Sequence, residues 1–167
     1  MCIRDRVYAN QGNLEVLRWV PSNAASILDV GCGAGDNARL LVEMAKRVDC
    51  ITISRAEAYL AQQWCDKVYL HDLATGLPSD MRASYDCAIC SHVLEHICYP
   101  EPLLRDLQEK ITPHGLLVVA VRWCYEYVTG LGGRQACHVT SLETVHPAHI
   151  GEDQCCIWFQ LHCHLGS

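Results

Sequence analysis

The sequence predicts an α/β fold, a three-layer α/β/α sandwich built on a mainly parallel sheet. Two observations carry that expectation. Short apolar runs alternate along the chain with segments whose apolar residues recur at helical spacing, as strands joined by crossover helices do. The first such run empties into a glycine-rich loop, Gly31-Cys32-Gly33-Ala34-Gly35, that leads into a helix. Composition agrees: half of the 167 residues are apolar and 19% are charged, which suits one domain with a packed core.

Taken in order, Met1–Arg6 reads as a non-native leader and is set aside. Leu14, Leu17 and Val20 stand at helical spacing in Asn13–Val20, and Pro21 ends that segment. Ser26–Val30 is the first strand. Asp36–Arg47 is expected to be helical, with Leu40, Leu41, Met44 and Ala45 on its apolar side. Cys50–Ile53 is the second strand. Ser54 then opens a helix, and Glu57 follows at the spacing of a capping box. Ala58, Leu60, Ala61 and Trp64 continue that helix, which ends near Asp66. Lys67–Leu70 is the third strand, His71–Arg82 a loop, and Tyr85–Cys90 the fourth strand. Pro100 sits near the first turn of a helix whose buried stripe is Leu103, Leu104, Leu107 and Ile111. Pro113-His114-Gly115 breaks the chain before Leu116–Val121, an apolar run suited to a strand covered on both faces.

The domain is therefore expected over 7–130. From Leu131 onward, four cysteines and five histidines crowd 37 residues with no sustained periodicity. Their spacing matches no common zinc module, so 131–167 reads as a Cys/His-rich tail outside the native domain. The last strands of the sheet are accordingly expected to be missing or altered.

Charge and cysteine usage narrow the partners. A net charge of -6 argues against nucleic acid, whose phosphates want a basic face. No apolar run approaches the roughly 20 residues that span a membrane, and no secretory leader is visible. The expected compartment is the cytoplasm. Twelve cysteines would suit a disulfide framework in a small secreted chain. Here Cys50, Cys87 and Cys90 lie inside apolar runs, where reduced cysteine behaves as a small hydrophobe. Cys87 and Cys90, three apart on a strand, point to opposite faces and cannot easily share a metal.

The glycine loop carries the chemistry. Three glycines in five positions let the backbone turn tightly and let a ligand approach without meeting Cβ atoms. Free N–H groups at the start of the next helix attract an anionic group. A nicotinamide loop, G-x-G-x-x-G, would need glycine where Asp36 stands, and a phosphate loop would need Gly-Lys-Ser/Thr, which is absent. The pattern Asp29-x-Gly31-x-Gly33-x-Gly35 after Ile27-Leu28 instead resembles the first motif of class I S-adenosylmethionine-dependent methyltransferases.

The resemblance continues in order. That family places an acid at the end of its second strand for the ribose hydroxyls, and Thr52 stands there in Cys50-Ile51-Thr52-Ile53-Ser54. A hydroxyl holds ribose less strongly than a carboxylate. His71-Asp72-Leu73 matches the stretch whose aspartate takes the adenine amino group. Tyr85-Asp86-Cys87-Ala88-Ile89-Cys90-Ser91-His92-Val93-Leu94-Glu95-His96 resembles the fourth-strand motif of small-molecule methyltransferases. Ile111-Thr112-Pro113-His114-Gly115-Leu116-Leu117 resembles the turn before their fifth strand. The likeness covers about residues 26–123. It implies a Rossmann-like sandwich, S-adenosyl-L-methionine as cofactor, a small-molecule methyl acceptor, and cofactor contacts from Asp29, Gly31, Gly33, Thr52, Asp72 and Ser91. His96 is the candidate general base, since histidine titrates near neutrality.

Two other readings stand beside this one. An incomplete domain would bind the cofactor without turnover. His92-x-x-Glu95-His96 also spells the inverted zinc-peptidase motif, in which histidines one helical turn apart share a zinc ion. The expected metal set is empty: no distant third acidic ligand announces itself. Some methyltransferases acting on neighbouring hydroxyls hold a divalent metal with glutamate and histidine from this same turn, but His92 replaces the first glutamate of that pattern.

Overall fold

The computed structural model describes residues 7, 11–44, 46–81 and 84–122, together with the backbone of 144–149 and 154–160. The expected leader, 1–6, lies outside the described residues. In chain order the elements are α1 (Leu14–Leu17), β1 (Ser26–Val30), α2 (Asp36–Glu43), β2 (Arg47–Thr52), α3 (Arg55–Ala61), β3 (Lys67–Leu70), β4 (Tyr85–Ser91), α4 (Glu101–Glu109), β5 (Ile111–Arg122), β6 (Thr144–His149) and β7 (Gln154–Gln160). They form one sheet in the order β3-β2-β1-β4-β5-β7-β6. Strands β1 to β5 run parallel, and β7 lies antiparallel between β5 and β6.

Alternation along the strands divides the core in two. Leu28 and Val30 of β1 join a cluster with Leu103, Leu104 and Leu107 of α4. Ile27, on the opposite face, joins Val16 and Leu17 of α1, Ala38 and Leu41 of α2 and Ala61 of α3. Side chains of one strand point alternately to the two faces, so β1, buried from Ile27 to Val30, feeds both layers. The sandwich is the expected one. Between β1 and β4 the direction of strand addition reverses, and such a switch point opens a crevice beyond the carboxyl ends of the strands.

Several boundaries differ from the sequence expectation. Strand β2 is Arg47–Thr52 rather than Cys50–Ile53, and α2 stops at Glu43. The cause is Asp49, a polar residue that hides a strand: it is buried and accepts a 2.8 Å hydrogen bond from Tyr85 Oη. Ile53 is instead exposed. Pro113-His114-Gly115 does not break the chain; β5 runs through it, with a register shift against β4 between Tyr85 and Cys87. Ile111 is buried as expected, but as the first residue of β5 rather than the last of α4. Cys87 and Cys90 are buried free thiols, as expected. Cys50 is not reduced: it forms a disulfide with Cys65, which the turn after α3 brings onto β2.

The sheet does not stop at β5. The backbone of 144–149 and 154–160 fills the closing antiparallel positions expected to be missing or altered, with a register shift between Thr144 and Pro147. The sequence does not signal these strands, because neither segment keeps a regular alternation in polarity and Pro147 lacks the N–H of a regular ladder. Among the described residues no helix is long and apolar enough to cross a membrane.

Candidate cofactor site

Strand β1 is buried from Ile27 to Val30 and carries Asp29, with only 1% of its surface exposed, to the carboxyl edge of the sheet at the switch point. Its Oδ2 is buried without a hydrogen-bond partner. Burial pushes the carboxyl up to about 7, and the side chain of Asn37 offsets part of that. A buried carboxylate oxygen left unsatisfied is costly, and such a cost persists where a ligand supplies the missing donor.

The loop that follows turns on glycine. Gly31 has φ +73, and a Cβ there would collide with Val93 Cγ2, so the loop tucks beneath the turn after β4. Gly33 has φ +55, and a Cβ there would meet only Glu57 Oε1, at 3.8 Å, which leaves an open cradle. Cys32 N donates to Ile51 O at 2.9 Å and fastens the loop to β2. The Cys32 thiol is pushed well up by burial first, then by the charges of Asp29 and Glu57. One loop therefore lies between two carboxylates.

The other expected contacts are spread along the same edge. Thr52 ends β2, is buried, and donates from Oγ1 to Glu57 Oε2 at 3.0 Å. Asp72 follows β3 and caps the short 3-10 turn Leu73–Thr75, accepting from Ala74 N at 3.0 Å. Ser91 ends β4 and is half-buried. Parallel strands put all of these at their carboxyl ends, which is why residues 62 positions apart, from Asp29 to Ser91, share one rim. Glu57 is the residue that sequence reasoning took for something else. Its capping-box spacing was legible, and the cap exists, with Glu57 N donating to Ser54 Oγ at 3.3 Å; the inward turn of its carboxylate was not.

The turn after β4 contradicts the zinc-peptidase reading. Leu94–His96 forms a 3-10 turn rather than an α-helix, and His92 adopts a left-handed φ of 55. The two histidines thus lack the one-turn helical spacing a shared zinc needs. His92 Nδ1 lies 3.2 Å from Glu95 Oε1, while His96 is exposed and its backbone N–H donates to Val93 O. Among the described residues no group of three or more His, Cys, Asp or Glu could hold a metal ion.

Comparison with known proteins decides the family. The sequence family described as methyltransferase domain matches residues 4–146. The chain belongs to the S-adenosylmethionine-dependent methyltransferases. The mitochondrial ubiquinone biosynthesis O-methyltransferase of Schizosaccharomyces pombe is 30% identical over 102 residues, which is 56% of this chain and 36% of that protein. This methyltransferase chain spans between 36% and 41% of the length of three such curated relatives. Among solved structures, the N-methyltransferase NodS of Bradyrhizobium japonicum superposes with a TM-score of 0.67 at 18% identity, covering 89% of this chain and 93% of its own. Coclaurine N-methyltransferase, bound to N-methylheliamine and SAH, gives a TM-score of 0.56 at 26% identity over 65% of this chain and 34% of its own.

The cofactor of the family, S-adenosyl-L-methionine, fits the residues present. The orphaned Asp29 Oδ2 awaits a donor, and the bare face of Gly33 leaves room for a ligand against the backbone. The ligand's amino and hydroxyl groups are donors of the required kind.

Proposed function

We propose that this methyltransferase transfers the cofactor's methyl group to a small molecule, with a hydroxyl as the first acceptor class to test. The observation that carries the reading is the buried, partnerless Asp29 Oδ2 at the head of the glycine loop. The names of the curated relatives, O-methyltransferases of ubiquinone biosynthesis, favour the hydroxyl.

In this reading Asp29, Gly31 and Gly33 hold the amino-acid end of the cofactor, Thr52 and Asp72 face the nucleoside, and Ser91 closes the crevice at β4. Bound there, S-adenosyl-L-methionine supplies an electrophilic methyl on a positive sulfur. Transfer discharges that sulfur, so the protein's task is alignment and exclusion of water. His96, exposed on the turn after β4, is assigned the acceptor's proton, a role worth about 10²–10⁴-fold in rate.

The deciding experiment is calorimetric titration with S-adenosylhomocysteine, followed by methyl transfer to a panel of small hydroxylated acceptors. Binding with transfer that falls in His96→Ala, at unchanged ligand affinity, supports the whole reading. Binding without transfer to any acceptor leaves a binding module, and no binding by the folded chain removes the enzyme.

A further inference from the structure

Cys50 and Cys65 are joined by a disulfide that the cofactor site does not use. The bond closes the chain between them into a loop that holds the end of β2 and the whole of α3. Its two ends differ in access. Cys50 is fully buried within β2, whereas Cys65 is half-buried and lines a shallow hollow of about 380 Å³. Lys46, Arg47 and Asp66 line the same hollow, two cations against one acid, which favours the approach of a thiolate. Disulfides open to solvent are the labile ones.

The same bond bears on the glycine loop from two sides. Cys65 N donates to Ala61 O at 3.0 Å, one turn back along the chain. Ala61 packs on Gly35, where a Cβ would stand 3.0 Å from Ala61 Cα, and Trp64 Cδ1 lies 3.5 Å from the same point. Trp64 also lines the hollow, so one ring separates the hollow from the loop. On β2, Ile51 O accepts from Cys32 N, so the loop is tethered to the residue beside Cys50. Helix α3 has seven residues, too few to be stable alone, and its place against the loop depends on anchorage.

We propose that the Cys50–Cys65 bond is a dithiol-reducible clamp that holds α3 against the glycine loop and so sets cofactor affinity. One thiolate of the dithiol attacks Cys65 Sγ, and Cys50 leaves as a thiolate. The second thiolate then attacks the reagent's own bonded sulfur and releases Cys65. The two protons shed by the dithiol end on Cys50 and Cys65, two electrons pass to the protein, and the dithiol becomes a cyclic disulfide. The proposal rests on the cofactor reading above.

The test titrates S-adenosylhomocysteine into the oxidised chain and into the chain reduced with dithiothreitol, with melting curves in both states. Alkylation with peptide mass mapping reports which of the twelve cysteines change. Reduction is expected to free Cys50 and Cys65 and to weaken binding about 5–150-fold, the range of coupling between linked sites. Cys65→Ser should bind as weakly as the reduced chain and ignore dithiothreitol. By linkage, saturating ligand should lower the potential of the bond, read in dithiothreitol redox buffers, by about 30 mV for each tenfold. Equal affinity in both states overturns the clamp, and so does an oxidised chain in which the two cysteines stay unpaired. A response to dithiothreitol that survives in Cys65→Ser overturns it too, because another thiol then carries the effect. Reduction that melts the chain outright makes the bond structural and likewise overturns the clamp. Should Cys65→Ser misfold while the reduced wild type stays folded, the ligand-linked potential decides: a shift supports the clamp and an unmoved value refutes it. A folded chain that binds in neither state overturns the cofactor reading instead.

Discussion

Two aspartates on neighbouring strands have opposite surroundings. Asp86, near the amino end of β4, accepts from Ala25 N, Ser26 N and Ser26 Oγ at 2.9, 2.9 and 3.0 Å, and its own N–H returns a bond to Ser26 Oγ at 3.1 Å. Those backbone donors, Ser26 first, hold its carboxyl below the usual range. Asp29, near the carboxyl end of β1, keeps one oxygen unpartnered and is pushed up to about 7 by burial. The lower rim of the sheet is finished, whereas the upper rim is left open. The difference separates a carboxylate that holds β1 against β4 from one whose burial the described fold leaves unsatisfied.

The largest effect that can break this contrast is expected at Asp29. Asp29→Asn should weaken S-adenosylhomocysteine at least about 100-fold, the scale of a lost charge-assisted contact together with its buried partner. The same change should stabilise the free chain near pH 8. The folded carboxyl, at about 7, lies above its ordinary 3.8, so its contribution to stability is full below about pH 4 and is lost as pH rises through 7. Removing the charge recovers on the order of 2–4 kcal/mol at alkaline pH, read from denaturant unfolding at pH 5 and pH 8. A destabilised Asp29→Asn at pH 8 would show that the site is not held open against the fold.

Asp86→Ala should do the reverse. Losing the acceptor of two backbone N–H groups costs about 1–3 kcal/mol, with ligand affinity unchanged within a factor of about two. Because the folded carboxyl is lowered, the contribution of Asp86 is present above about pH 4 and is lost as pH falls through its folded value. An acid shoulder in the wild-type melting profile that disappears in Asp86→Ala checks the sign. The smallest effect belongs to Ser54→Ala. It removes the cap on α3 for about 1 kcal/mol in thermal unfolding, while Thr52 still holds the Glu57 carboxylate and ligand binding persists.

What the sequence made legible follows from periodicity. β1 and β3 match their expected bounds because apolar runs and glycine or turn residues bracket them. β2 was half hidden because Asp49 breaks its apolar run, and its burial is explained only by Tyr85 from another strand. Motif spacing singled out Asp29, Thr52, Asp72 and Ser91, and parallel strands carry all four to one edge of the sheet. It could not show that Asp29 lacks a partner or which way Glu57 turns, because both depend on packing between α3, β2 and the loop. The inverted zinc motif misled for the same reason: a left-handed His92 alters the path of the next residues, and a five-letter pattern carries no φ.

Each lateral margin of the sheet is a poor template for another chain's strand. At one margin β3 is only four residues long, and Lys67 there reaches Asp80 at 2.9 Å and lies 4.3 Å over the Tyr69 ring. At the other, β6 carries Pro147, which has no N–H to offer, at the point where its register shifts. Brevity, a lysine and a proline are the devices that discourage edge-to-edge association and the growth of fibrils. A chain with exposed residues as apolar as Tyr59, Tyr99 and Leu14 is thereby guarded where unpaired backbone would otherwise add most to self-association.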